Sequence, residues 1–249
     1  MKAVAVYGFT TGSGKTTTAK ELAGYRQRQG YNTLLVDMDL SQGKLTEILG
    51  LKKTPNIGDW LNDIFNRLET TPCWKKIYQP DEISKFYQSH SSGLKVITTN
   101  FDHNHCNSPL LLNGIDIIVR SLKTTAFDTV IFDTNNAMRD YTLDLMFRMD
   151  KVLMIADFLN FNRQNAEILL RLLIDEGFSK DCFGFVLNRF PTFADESPEQ
   201  ISNALGIPLY GVLPNCPDLT GKKKQGKIFS TCRSTRFTEE IGRIAQRLV

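Results

Sequence analysis

The 249-residue sequence predicts a doubly wound, mainly parallel seven-stranded α/β sheet with helices on both faces. Two observations carry that prediction. Short, continuously apolar runs of strand length alternate with longer segments of helical spacing, the pattern of parallel strands buried on both faces. A glycine-rich loop, GFTTGSGKTTT at 8–18, stands between the first of those strands and the first helix.

The elements follow in order. KAVAVY (2–7) is the first buried strand, and TTAKELAGYRQRQG, ended by Gly30, is the helix after it. NTLLVD (32–37) is the next strand. LKVITT (94–99), DTVIFD (128–133), KVLMIA (151–156), CFGFVLN (182–188) and LYGVLP (209–214) follow at intervals that leave room for helices. Between 51 and 93 the character changes: NIGDWLNDIFNRL sets Ile57, Trp60, Leu61, Ile64 and Leu68 at helical spacing, and EISKFYQS suggests another short helix. With too few apolar residues to be a domain, this segment reads as a helical excursion within one domain spanning 1–249. FTEEIGRIAQRL puts Phe237, Ile241, Ile244 and Leu248 on one stripe, as a core-facing helix requires. No repeat, low-complexity tract or Pro/Gly/Ser-rich linker divides the chain.

Hydrophobic residues make up 41% and charged residues 23%, the proportions of an ordinary globular protein. A formal net charge of +3 excludes a basic nucleic-acid coat. No apolar run approaches the roughly 20 residues of a membrane-spanning helix, so no transmembrane segment is expected. MKAVAVYG runs directly into the glycine-rich loop, so no signal peptide is expected either. Cys73, Cys106, Cys182, Cys216 and Cys232 are odd in number, far apart and without a C-x-x-C pair. That predicts a reducing, cytoplasmic setting and argues against an iron–sulfur or zinc role. His103-x-His105-Cys106 has ligand-type residues but no matching ligands elsewhere, and reads as a loop.

Gly12-Ser13-Gly14-Lys15-Thr16 has the strand–loop–helix context of a phosphate site. Glycines let successive backbone N–H groups turn toward phosphate oxygens, and the helix N-terminus adds its positive end. Lys15 would reach the β- and γ-phosphates, and the Thr16 hydroxyl would ligate Mg²⁺. Strand 32–37 runs into Asp37-Met38-Asp39, and strand 128–133 ends in Asp133. Both lie at carboxyl ends of parallel strands, where α/β sheets place their sites. Asp133 is suited to hold Mg²⁺ through a water opposite Thr16. A lone aspartate would more simply cap a helix; three acids at two strand ends beside a phosphate loop favour instead a nucleoside phosphate site with Mg²⁺.

LLVDMDLSQGKLTEILGL resembles the segment after the first helix in MinD/ParA-type ATPases, a deviant Walker A class of P-loop NTPases that includes the CpaE/TadZ pilus-localisation proteins, the nearest flavour. The resemblance continues through LKVITT, TVIFDTNNA, FRMDKVLMIAD, GFVLNRF and LYGVLPNCPD, in order over nearly the whole chain. It implies that Thr11, Gly12, Ser13, Gly14, Lys15, Thr16 and Thr17 cradle the phosphates, and that Lys15 and Asp39 serve hydrolysis, Asp39 by positioning water. It implies also that Asp133 serves the metal, Asn188 reads the adenine with donor and acceptor, and Pro214 lies near the base.

Against the family's G-K-G-G-x-G-K-T this chain has Phe9 for the first glycine and Thr10 for the signature lysine. In the family that lysine reaches the partner's phosphates in an ATP-sandwich dimer, whereas Thr10 carries no charge. The expectation is a slow ATPase, with Arg139, Arg163 and Lys44 as the cations to test for replacement. TNNA stands where the family has a Pro-rich switch; Asn135 or Asn136 could orient water, or the pair simply turns the chain.

The resemblance implies a switch whose homodimerisation or binding to an unidentified protein partner depends on nucleotide, positioning DNA, a pilus machine or a transfer apparatus. Two alternatives stay open: a small-molecule enzyme of the dethiobiotin synthetase type, which needs a cationic substrate pocket by the γ-phosphate, and a nucleotide-binding scaffold with little hydrolysis. Lys222, Lys223 and Lys224, with Lys227, Arg233 and Arg236 nearby, suit DNA phosphates or an anionic membrane, or are a solvated face. After the last helix, no further amphipathic tail of the kind by which MinD proteins bind membrane is expected.

Overall fold

The computed structural model describes residues 1–100, 107–191, 194–219, 226–232 and 235–248. Its elements in chain order are β1 (Lys2–Gly8), α1 (Lys15–Arg28), β2 (Thr33–Asp37), α2 (Leu45–Leu49), α3 (Ile57–Leu68), α4 (Pro80–Ile83), β3 (Gln88–Ser89), β4 (Lys95–Ile97) and α5 (Leu111–Leu122). They continue with β5 (Thr129–Asp133), α6 (Asp140–Phe147), β6 (Lys151–Asp157), α7 (Arg163–Asp175), β7 (Phe183–Phe190), α8 (Pro198–Leu205), β8 (Leu209–Pro214), α9 (Phe229–Cys232) and α10 (Arg236–Arg247).

The strands form one sheet in the order β3-β4-β2-β5-β1-β6-β7-β8. All described pairings are parallel except β3 on β4. Successive side chains of a strand point to opposite faces, and β1 divides accordingly. Ala3, Ala5 and Tyr7 join a core packed by α3, α5, α6, α7 and α8. Val4 and Val6 join a second core packed by α1, α2 and α10. The doubly wound expectation holds.

The sheet has eight strands, not seven. The added strand is two polar residues at an edge, Gln88–Ser89, with no apolar pattern to announce it. It falls inside EISKFYQS, where the sequence suggests a helix. The helix lies earlier, at Pro80–Ile83, opened by Pro80 and by Glu82 reaching back to the Gln79 N–H at 3.0 Å. Phe86 instead stacks on Trp60 with ring centroids 5.3 Å apart, which draws the chain out of helical geometry toward the sheet edge. Trp60 itself is fully buried on α3, whose start Asn56 caps by accepting from the Gly58 N–H at 2.7 Å.

α1 shows how polar residues can be buried. Glu21 has no exposed surface, and its carboxylate accepts from the Ser230 N–H at 2.7 Å, the Phe229 N–H at 3.2 Å and Lys20 Nζ at 2.9 Å. Lys20 Nζ also donates to the Lys227 carbonyl at 2.9 Å. The segment 226–232 is thus tied across the helix that follows the phosphate loop. Glu21→Ala would leave Lys20 and two N–H groups without their anion, a loss of about 3–5 kcal/mol for a broken buried pair. Urea unfolding should register it, with Glu21→Gln, which keeps an acceptor, losing less. Equal midpoints for the parent and Glu21→Ala would show that this clasp carries no stability.

Candidate functional site

The loop 9–14 leaves β1 at the centre of the sheet's carboxyl edge. Phe9, where the family pattern has a glycine, packs its ring edge-on against Phe161 and Phe185 at 6.1 and 6.2 Å, anchoring the loop's entry in the core. Gly14 has φ +96°, a left-handed conformation that favours glycine, and a Cβ there would lie 2.2 Å from Asn188 Nδ2. Lys15 and Thr16 then open α1, whose start has no side-chain cap and no acidic residue in its first turn. A helix start left uncapped suits an anion. The hydroxyls of Thr10 and Ser13 are buried without a partner among the described residues.

Asp133 ends β5 beside this loop, and the Thr16 hydroxyl bonds its carboxylate. Burial pushes the Asp133 carboxyl up to about 7, against the pull of that bond and of the Lys15 charge. Its Oδ1 has no partner among the described residues. Asp37 stands at the paired position on β2 and is fully buried. Burial, then the neighbouring Asp133, raise its carboxyl well above the ordinary range, while N–H groups of Leu45 and Asp39 lower it. Lys15 is pushed below its ordinary value by burial and by Lys44, while Asp133 and Asp39 hold it up.

Asp37 organises the loop that carries Asp39. Its two oxygens accept from Asp39 N at 3.1 Å and Leu45 N at 3.2 Å. Gly43 is pressed into the same corner: a Cβ there would fall 1.6 Å from Thr99 Cγ2 and 2.7 Å from Asp37 Oδ2. Asp39 is half-buried, and its Oδ1 accepts from Ser41 Oγ at 2.7 Å and Gln42 N at 3.1 Å. Asp39 and Asp133 are both near enough to act on the Lys15 charge.

On the other side of the loop lies a cleft of about 400 Å³. Gly12, Gly14, Thr17, Asn188 and Pro214 line it, so five residues expected at a nucleotide site meet there. Asn188 also braces the loop and its own strand end. Its Nδ2 donates to the Ser13 carbonyl at 2.9 Å, and its Oδ1 accepts from Arg189 N at 3.0 Å. Arg189, Cys216 and Phe237, which no motif singles out, complete the walls with Thr18, Asn215, Pro217 and Leu219. Arg189 has φ +56°, and the buried Asp157 carboxylate at the end of β6 holds its guanidinium through two nitrogens.

Other expected residues lie elsewhere. Arg163 pairs with Glu196 at 2.9 Å and Glu167 at 3.6 Å. Arg139 borders a separate hollow of about 390 Å³ with Ser108, Leu112 and Tyr141. Lys44 is the one of the three proposed cations whose charge acts on Lys15. Lys222, Lys223, Lys224 and Arg233, and likewise His103, His105 and Cys106, lie outside the described residues. No helix of the described residues is long and apolar enough to cross a membrane.

Fold and loop together define a P-loop nucleotide-binding class of α/β protein. The profile of the CobQ/CobB/MinD/ParA nucleotide-binding domain matches residues 4–229, and the chain belongs to that family. Among solved structures, it is similar to a ParA family ATPase from Chlorobium tepidum TLS (17% identity, 98% of each chain covered, TM-score 0.79). It is similar also to the septum site-determining protein MinD from Pyrococcus horikoshii OT3 complexed with Mg-ADP (17% identity, 99% and 95% covered, TM-score 0.72). A provisionally described replication protein A of Rhizobium rhizogenes is 38% identical over 58 residues, 23% of this chain and 14% of that protein's length.

The raised carboxyls set a pH dependence. An aspartate that ionises at about 7 in the fold and near 3.9 when unfolded binds more protons in the native state between those values. The stability it confers is complete below the unfolded value and is lost as pH rises through 7. The nucleotide-free protein should therefore melt lower at pH 8 than at pH 6. Asp133→Asn should melt at least about 2 °C above the parent at pH 8 and show a smaller drop. An equal drop in both would place the titration at other groups.

Proposed function

We propose that this chain binds ATP·Mg²⁺ and acts as a MinD/ParA-like switch whose pairing with a second copy or with a protein partner depends on the nucleotide. Its work would be positional, on DNA, a pilus machine or a transfer apparatus. One observation carries this reading: the phosphate loop, the strand-end acids and a base-sized cleft meet at one edge of the sheet.

The residues present fit the ligand. The uncapped start of α1 and the Lys15 ammonium suit the phosphates, and the unpartnered Asp133 Oδ1 beside the Thr16 hydroxyl suits a hard cation with oxygen ligands. Thr11, Gly12, Ser13, Gly14 and Thr17 complete the cradle, with Asn188 and Pro214 at the base. The bound metal would neutralise phosphate charge. Asp39 would orient the attacking water, and Asp133 with Thr16 would hold the cation in place. The relative from Pyrococcus horikoshii that holds Mg-ADP supports this assignment.

A second reading, a nucleotide-binding scaffold with little hydrolysis, is favoured by Thr10. Its hydroxyl is buried in its own chain, so it brings neither charge nor reach to a partner's phosphates.

Binding and switching have separate tests. A ligand at about 100 times Kd stabilises by roughly 2.7 kcal/mol; Lys15→Ala should lose most of the melting shift given by Mg·ATP, and equal protection would end the phosphate-loop assignment. Sedimentation and affinity capture in Mg·ATP and in Mg·ADP should differ, with turnover slow. Identical mass and identical partners in both nucleotides would reject the switch. Fast turnover by the parent would reject the scaffold.

A further inference from the structure

The loop joining β5 to α6 carries the two asparagines whose roles the sequence left open. They are not equivalent. Asn135 is buried and bonded through both ends of its amide: its Oδ1 accepts from Ala137 N and Thr142 Oγ1, both at 3.1 Å, and its Nδ2 donates to the Tyr141 hydroxyl. It shapes the turn and ties it to the first turn of α6.

Asn136 reaches the other way. Its backbone carbonyl accepts from the Tyr7 hydroxyl at 3.0 Å, and its Nδ2 donates to Thr11 Oγ1, in the phosphate loop, at 2.9 Å. The root of the segment is fixed to β1 as well, since Thr134 Oγ1 donates to the Val6 carbonyl at 2.8 Å. Burial does not enforce the bond from Asn136 to Thr11, because Thr11 is exposed. Among the described residues it is the one hydrogen bond between the phosphate loop and the segment that leaves Asp133. A side-chain amide has two N–H groups and an acceptor oxygen. With one N–H on Thr11, the other N–H and Oδ1 keep capacity for a phosphate oxygen and a water.

We propose that Asn136 is a positioning residue for the terminal phosphate, forming with Thr11 a latch between the cradle and the β5–α6 loop that a triphosphate strengthens and a diphosphate does not. The proposal rests on the nucleotide reading above and deepens it. Through Asn135, Tyr141 and Thr142 the latch is continuous with α6, so the presence of the third phosphate is passed to the surface around Met138 and Arg139, both exposed.

The test uses the full chain and two probes, Mg·ADP and a non-hydrolysable ATP analogue with Mg²⁺, titrated into the parent, Asn136→Ala, Thr11→Val, Thr11→Ser and the Asn136→Ala/Thr11→Val double variant. Asn136→Ala should weaken the analogue about tenfold, the scale of one hydrogen bond to a charged group, and ADP less than about twofold. Thr11→Val should shift the analogue in the same direction, Thr11→Ser should retain parental affinity, and the double variant should be no weaker than Asn136→Ala because the link is already gone. Should Asn136→Ala fail to fold, as its ligand-free melt will tell, the exposed Thr11 variants carry the test. Equal losses for both probes, no loss for either, or additive losses in the double variant would overturn the latch. A parent that binds neither probe would overturn the nucleotide reading itself, whereas a parent that binds both with variants unchanged overturns only the latch.

Discussion

Two buried carboxylates stand side by side at the carboxyl edge of this sheet, and the surrounding structure answers to them. Asp37 and Asp133 occupy paired positions on adjoining parallel strands, each almost wholly out of water. Neither can ionise cheaply, and both together repel. Two groups relieve the conflict without removing it. Backbone N–H groups of Asp39 and Leu45 satisfy Asp37, which fixes the loop between them. Lys15 and the Thr16 hydroxyl serve Asp133 but leave it raised to about 7 and one oxygen without a partner. The edge is thus a place where an added cation gains more than it would elsewhere, because it inverts the local charge balance. On the proposed reading, the same repulsion that costs folding stability would favour a ligand that brings a metal.

This division of labour explains the neighbouring sequence. Gly43 is required because Thr99 and Asp37 leave no volume for a side chain. Asp39 belongs to the loop that Asp37 organises, so on the proposed reading one strand-end acid positions the acid that would orient water. Phe9 is not a lost glycine so much as a different anchor: its contacts with Phe161 and Phe185 tie the loop's entry to β7 and to the segment before α7.

What could be read in the sequence was whatever is local. Seven strands, α1 and α3, and the loop at 9–16 announce themselves through apolar runs, helical spacing and glycine placement. β3 is two polar residues whose pairing depends on β4, and the helix expected at 82–89 gave way to Phe86 packing on Trp60. Asn188 and Pro214 came only from resemblance, although they line the cleft with Gly12 and Gly14. Arg189, Cys216 and Phe237 sit on three different segments, and no spacing connects them. Glu21 and Lys20 look like solvent-facing helix residues until the segment 226–232 covers them. Long-range burial of polar groups is the part that periodicity cannot express.

The same distinction bears on how such a switch would work. A lysine reaching across an interface commits the phosphates to a second subunit; a hydroxyl buried under its own loop does not. In this chain Asp133, Asp39 and Lys44 act on the Lys15 charge. The segment that follows Asp133 is bonded to the phosphate loop through Asn136 and to α6 through Asn135. On the proposed reading, the bound phosphates would set the surface around the exposed Met138 and Arg139, and a partner would read that surface. Such a switch can hold two states through differential affinity alone, with turnover needed only to reset it.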